Sequence, residues 1–301
     1  MNQAKAVIKA RPEDWQVIEE GPTCLEPGSH QRFFVEKTCL NTLDVVDALA
    51  GELQIEKFEV GYAGRKDKWG ITQQWFSVPR HCDWPDIAGT RCLTTSTSRK
   101  KLRIGELRGN RFVLTLREVS GLTLSDLTRL EHGFANKFGW QRTSEDNVEQ
   151  AEKWLLSRRH RKTSKRLQGW YLSVLRASLF NDVVDLRASY ELMPDLVDGD
   201  FLMDGQPTAP LWGRGRSKSQ RKALQIEQEA LASRLDICEA LEFSGATQAR
   251  RPMFVLPRSL SVSPGSDEGS IRLEFSLPPG SYATTMLASI AQITEGTRDA
   301  V

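Results

Sequence analysis

Apolar and polar positions alternate with a period of two at several places along the chain, a pattern that marks strands with one buried and one wet face. SIRLEFSL (270–277) puts Ile271, Leu273, Phe275 and Leu277 on one side. RFVLTL (111–116) does the same with Phe112, Leu114 and Leu116, and KLRIGEL (101–107) with Leu102 and Ile104. Gly109-Asn110 lies between these last two as a turn signal, so they are predicted to form a hairpin whose wet face is basic. Trp15 with Val17, QRFFVEK (31–37) and QQWFSV (73–78) read as further strands. Helical spacing appears near 43–53, where Thr42 can cap and Val45, Val46, Leu49 and Leu53 share a face. Thr123 and Asp126 fit a capping box, and Ser144 can cap a helix carrying Val148, Ala151 and Leu155. Helices are also predicted over 170–187, over 218–235 as one long element, and from about Thr284 after a Pro-Pro-Gly turn. Residues 194–210 (PDLVDGDFLMDGQPTAP) read as a turn-rich β segment.

Strands thus cluster at the two ends and helices fill the middle. This predicts an α+β fold. Residues 1–134 and 257–301 would form one discontinuous domain with a mixed, mainly antiparallel sheet flanked by helices, and 135–256 an inserted mixed α/β domain. A chain of 301 residues, 39% apolar and 27% charged, is long enough for two such cores.

The formal net charge of +2 says little, but its distribution says more. Residues 99–111 hold six bases and one acid, 158–166 six bases and no acid, and 214–222 five bases and no acid. Three such clusters read as patches for a polyanion. The cysteines, at 24, 39, 82, 92 and 238, are odd in number and lack CxxC spacing, which argues against a disulfide framework or zinc knuckle. The histidines, at 30, 81, 132 and 160, show no metal-ligand spacing, so no metal is expected. No P-loop, dinucleotide fingerprint or hydrolase elbow is present. The absence of an apolar leader or membrane-length run predicts a cytoplasmic protein without a membrane partner, and the absence of a coiled-coil repeat a monomer.

The most pointed chemistry lies in GYAGRKDKWGITQQWF (61–76). Asp67 stands between Lys66 and Lys68, with Gly64 before it and Gly70 after. From residue types alone this is either a turn aspartate or a carboxylate kept ionised by neighbouring cations, ready as nucleophile or base.

Four blocks in order resemble the TruD family of tRNA pseudouridine synthases: IKARPEDWQVIEE (8–20), YAGRKDKWGITQQW (62–75), RKKLRIGELRGNRF (99–112) and ANKFGWQR (135–142). Weaker matches follow at RASLFNDVV, LVDGD, RRPM and LPPGSYATT. The resemblance implies isomerisation of uridine to pseudouridine in tRNA, at uridine 13, without a cofactor. The discontinuous domain would be the catalytic one and the insertion the TRUD domain. Asp67 would be catalytic, with Lys9 near it to hold it ionised. Trp15, standing where the family usually has Phe, would pack in the pocket. Asn110 and Phe112 would line the uracil site, Phe112 by stacking. Lys66 and Lys68 would lie close to the RNA phosphates, and Asn136, Phe138, Gln141 and Arg142 would shape the cleft or touch RNA. The chain departs from the family after Arg142, where it runs Thr143-Ser144-Glu145-Asp146-Asn147, and after Thr285, where MLAS replaces a common Arg-Glu pair. The alternatives are an RNA-binding or RNA-folding protein with decayed catalysis, and a pseudouridine synthase with another RNA target.

Overall fold

The structure is a computed structural model that describes residues 4–21, 26–157 and 163–296. Cys24, His160 and the first five residues of the basic run 158–166 lie outside the described residues. Contacts divide the chain into two units, one of residues 1–132, 256–283 and 290–301, the other of residues 133–255 and 284–289.

The first unit opens with β1 (Lys5–Ile8), β2 (Trp15–Glu20), β3 (His30–Thr38), α1 (Thr42–Leu53), β4 (Gly61–Tyr62), β5 (Ile71–Val78), β6 (Thr90–Ser98), β7 (Gly109–Ser120) and α2 (Leu124–Thr128). The second unit contributes β8 (Phe134–Ala135), α3 (Trp140–Thr143), α4 (Glu145–Leu156), α5 (Lys165–Ser189), β9 (Leu202–Met203), β10 (Gln206–Leu211), α6 (Arg221–Ala230), α7 (Leu235–Phe243), β11 (Ala249–Pro252) and β12 (Phe254–Val255). The chain then supplies β13 (Arg258–Pro264), β14 (Ile271–Leu277), α8 (Ala283–Ala288) and β15 (Gln292–Glu295).

The first unit is built on a ten-stranded sheet with the path β13-β14-β7-β2-β5-β3-β6, to which β1, β15 and β4 attach. Two pairings are parallel, β1 with β15 and β2 with β5, and the others are antiparallel, so the sheet is mixed and mainly antiparallel. Its period-two strands bury one face. Phe112, opposite both Val17 and Phe275, shares that face with Trp15, Leu114 and Leu273. Further along, Phe33, Val35, Phe76 and Val78 pack against Val45, Val46 and Leu49 of α1, which is why α1 is amphipathic. Asn41 takes the N-cap position of α1, with Asp44 accepting from its backbone N–H at 3.1 Å. Thr42, expected to cap, is instead buried and bonded to the loop that follows β4.

The predicted hairpin at Gly109-Asn110 is not formed. Residues 101–108 are not a strand, Ile104 is exposed, and Gly109-Asn110 is the start of β7. Gly109 is needed there for close approach: a Cβ would sit 2.6 Å from the Leu277 carbonyl oxygen.

In the second unit, α5 runs its buried face of Val174, Leu175, Leu179, Phe180, Val183 and Val184 through the interior. The small sheet β11-β10-β9 is antiparallel. Two buried ion pairs tie the unit together. Arg187 forks onto both oxygens of Asp200 at 2.6 Å, and Arg250 donates to Glu227 at 2.7 Å. The single helix expected over 218–235 is broken at Leu231 into α6, a 3₁₀ turn at Ala232–Arg234, and α7. Arg234 there reaches Glu152 and Asp182. No described helix is long and apolar enough to cross a membrane.

Candidate active site

The opening block folds as a β1 strand, a 3₁₀ turn at Pro12–Asp14 and β2. Asp14 closes the turn by accepting from the Arg11 N–H at 2.9 Å, and is itself gripped by Arg117 of β7 at 2.7 and 2.8 Å. This part-buried pair fixes the start of β2, and so fixes Trp15, which is 1% exposed.

Asp67 lies on the loop between β4 and β5 and is exposed. Buried polar groups hold the loop from beneath. The Thr42 hydroxyl accepts from the Lys66 N–H and donates to Gln74, each at 2.9 Å, and Gln74 donates to the Gly64 carbonyl at 3.2 Å. Lys37 of β3 is 1% exposed and donates its ammonium to the Asp67 carbonyl at 3.1 Å and to the Leu40 carbonyl. Burial pushes the Lys37 ammonium down to about 8, opposed by the nearby charge of Asp67 and reinforced by that of Lys66. Gly70 closes the loop at φ +135°, where a Cβ would lie 2.3 Å from the Trp15 carbonyl oxygen, so only glycine fits without strain.

The carboxylate faces Trp15. The indole Nε1–H donates to Asp67 Oδ2 at 2.7 Å. The Lys9 ammonium lies 4.5 Å above the Trp15 ring. The Phe112 ring meets Trp15 edge-on at 6.5 Å and stacks on Phe275 at 5.2 Å. Two residues before Phe112, Asn110 sits opposite Glu19 and Leu277. Its Oδ1 is buried and accepts no hydrogen bond among the described residues. The sheet therefore brings Lys9, Trp15, Asp67 and Phe112 into one chain of contacts, with Asn110 on the same strand.

Several expectations need correction. Lys9 does not pair with Asp67; its ammonium pairs with Glu295 at 3.2 Å and reaches the carboxylate only through the indole. Lys9 is buried, with φ +56°, and its carbonyl accepts from Trp69 Nε1 at 2.8 Å. Lys66 is not at the surface. It is buried in an ion pair with Glu19 at 2.6 Å, so it has no free charge for phosphate. Lys68 is exposed. Phe112 is 6% exposed and has Phe275 on one face. Asn136 and Phe138, expected to shape the cleft or touch RNA, are buried in the second unit. Asn136 bonds Arg251 at 2.6 Å and the Pro252 carbonyl at 3.0 Å, and Phe138 packs on Phe180 and under Arg251. Gln141 is exposed, and the half-buried Arg142 lies 5.9 Å from the exposed Trp170.

Lys37, Glu19 and Glu295 escape a reading of the sequence. Lys37 occupies an ordinary polar slot in a strand, and Glu295 comes from the far end of the chain. Among the described residues no group of three or more His, Cys, Asp or Glu is placed to hold a metal.

The chain superposes with a TM-score of 0.71 and 18% identity on a crystal structure from Methanosarcina mazei given as a tRNA pseudouridine synthase D, covering 96% of this chain and 94% of that one. At that identity the likeness concerns the fold alone, an α+β fold with a mixed sheet flanked by helices. The sequence comparisons are more particular. The family model described as "tRNA pseudouridine synthase D (TruD)" matches residues 1–148 and 203–290. The tRNA pseudouridine synthase D of Shewanella oneidensis is 35% identical over 299 residues, covering 87% of this chain and 79% of that protein. That of Nitrosococcus oceani is 33% identical over 330 residues, covering 97% of this chain and 92% of that protein. The chain belongs to the TruD family of tRNA pseudouridine synthases, and is an isomerase.

Proposed function

We propose that this protein converts uridine 13 of tRNA to pseudouridine, with Asp67 as the catalytic carboxylate. In this reading the first unit is the catalytic domain, the second is the inserted TRUD domain, and the protein acts as a cytoplasmic monomer. The reaction breaks the N1–C1′ bond, turns the uracil and joins C5 to C1′. The proton leaving C5 is matched by one gained at N1, so atoms and electrons balance without an added redox cofactor.

The chemistry asks for one carboxylate that attacks the nucleotide or removes a proton from it, and for a site that keeps the freed base. The observation that carries the reading is the setting of Asp67. It is an exposed carboxylate on a loop whose main chain is tied to the buried Lys37, and it is set against a buried tryptophan. The unpartnered Asn110 Oδ1 is an acceptor suited to a uracil N–H. The exposed Lys68, Arg103 and Arg108 supply cations for the RNA backbone, which would offset the few kcal/mol needed to unstack the target base.

The test is to incubate an unmodified tRNA transcript with the purified protein and with an Asp67→Asn variant, then map pseudouridine by chemical labelling and primer extension. Conversion at 13 by the wild type alone is expected. Conversion at another position would overturn the target. Tight RNA binding without conversion by the wild type would replace the reading with that of a non-catalytic binder.

A further inference from the structure

We infer that Trp15 is a positioning residue whose indole N–H fixes the Asp67 carboxylate by Oδ2, leaving Oδ1 as the oxygen presented to the substrate. The inference rests on Asp67 being the reacting carboxylate and adds to that reading which of its oxygens acts and what aims it.

An aspartate on an exposed loop ordinarily samples several rotamers, and each non-productive one lowers the rate. Here both ends of the residue are held. Its carbonyl accepts from Lys37 at 3.1 Å and its Oδ2 accepts from the Trp15 indole at 2.7 Å, at the short end of the N–H···O range. Oδ1 accepts no hydrogen bond among the described residues.

The donor is itself immobile. Trp15 is buried, its backbone is registered against Leu114 of β7, its ring meets Phe112 edge-on, and the Lys9 ammonium lies over it. Gly70 packs against its carbonyl from the loop side. Lys9 is anchored in turn by Glu295, so the order Glu295–Lys9–Trp15–Asp67 is a continuous run of contacts from β15 to the loop.

Indole suits this task. Its N–H is a donor only and does not titrate in the working range, so it offers the carboxylate the same hydrogen bond throughout that range and takes no proton from the substrate. A phenylalanine in its place would fill the same space without holding the carboxylate.

Trp15→Phe removes the N–H and keeps an aromatic ring. We expect kcat on tRNA to fall about 10- to 50-fold while KM stays within about twofold, because the lost contact aims the reacting group rather than binding RNA. A second readout is independent of turnover. The Trp15 indole ¹H–¹⁵N resonance, assigned by its absence in Trp15→Phe, is expected to shift and to exchange faster with water in Asp67→Ala. Three results would overturn the inference: a Trp15→Phe kcat within about twofold of wild type, a rise in KM that accounts for the whole loss, or an indole resonance blind to Asp67→Ala. Turnover by Asp67→Asn would instead overturn the catalytic reading, and with it the assignment of Oδ1, while the indole resonance would still report whether the hydrogen bond exists.

Discussion

Replacing Lys37 by Met would test how the loop beneath Asp67 is held, and the structure gives the size of the effect. Burial lowers the Lys37 ammonium from its ordinary 10.5 to about 8. The groups that bear on it are Asp67 and Asp44, which favour its charge, Lys66, which opposes it, and Cys39. Such a drop corresponds to a cost of about 3 kcal/mol for carrying the charge in the folded protein. The sign follows from which state holds the proton. Below pH 8 both folded and unfolded chains are protonated and the full cost is present. Between about 8 and 10.5 the folded chain has lost its proton while the unfolded chain keeps it, so stability rises with pH across that window. Integrating from pH 7 to pH 9 gives the wild type on the order of 1 kcal/mol relative to Lys37→Met. The two carbonyls that lose their donor in the variant add a pH-independent penalty, which cancels in this difference. Urea titrations of both proteins at pH 7 and pH 9 measure it directly. Parallel changes in the two proteins would refute the argument, since a Lys37 that titrates normally is not a buried cation.

Other changes probe other parts of the molecule. Gly70→Ala places a Cβ at φ +135° against the Trp15 carbonyl; we expect a loss of about 1–3 kcal/mol in stability and a fall in kcat of at least about tenfold, read by melts and single-turnover assays. Arg187→Leu leaves Asp200 buried and unpaired in the second unit, and should cost about 3–5 kcal/mol in a urea titration, whereas removing both charges together should cost much less.

Much of the fold was legible because burial on one face imposes a period of two, and IRLEFSL became β14 as that period required. The hairpin at Gly109-Asn110 was misread because glycine serves two purposes. The same pair that signals a turn also lets β7 lie close to the Leu277 carbonyl, and sequence alone does not separate these uses. The long helix over 218–235 failed because the apolar spacing continues through the break, while Arg234 is pulled to Glu152 and Asp182 by partners distant in the chain. In the candidate site, Asp67 stood out as a lone acid among bases, but its partners did not. Lys66 and Lys68 look equivalent in sequence, yet only the first finds a buried carboxylate, Glu19, on the neighbouring strand β2. Lys9 likewise takes a partner 286 positions away, a distance at which no local pattern reports.

That distance has a consequence for biosynthesis. The strands that complete the first sheet, β13, β14 and β15, are made only after all of residues 133–255. Until they emerge from the ribosome, β7 has no neighbour on its β14 side, β1 lacks its parallel mate and Lys9 lacks Glu295. The nascent N-terminal segment up to residue 132 thus carries the aspartate loop on a sheet with open edges, the state in which strands pair with wrong partners. Translation order means that the sheet around this centre is completed only by strands made late. A product that stops short of β14 would carry every residue of the aspartate loop and still lack Phe275, on which Phe112 stacks, and Glu295, which anchors Lys9.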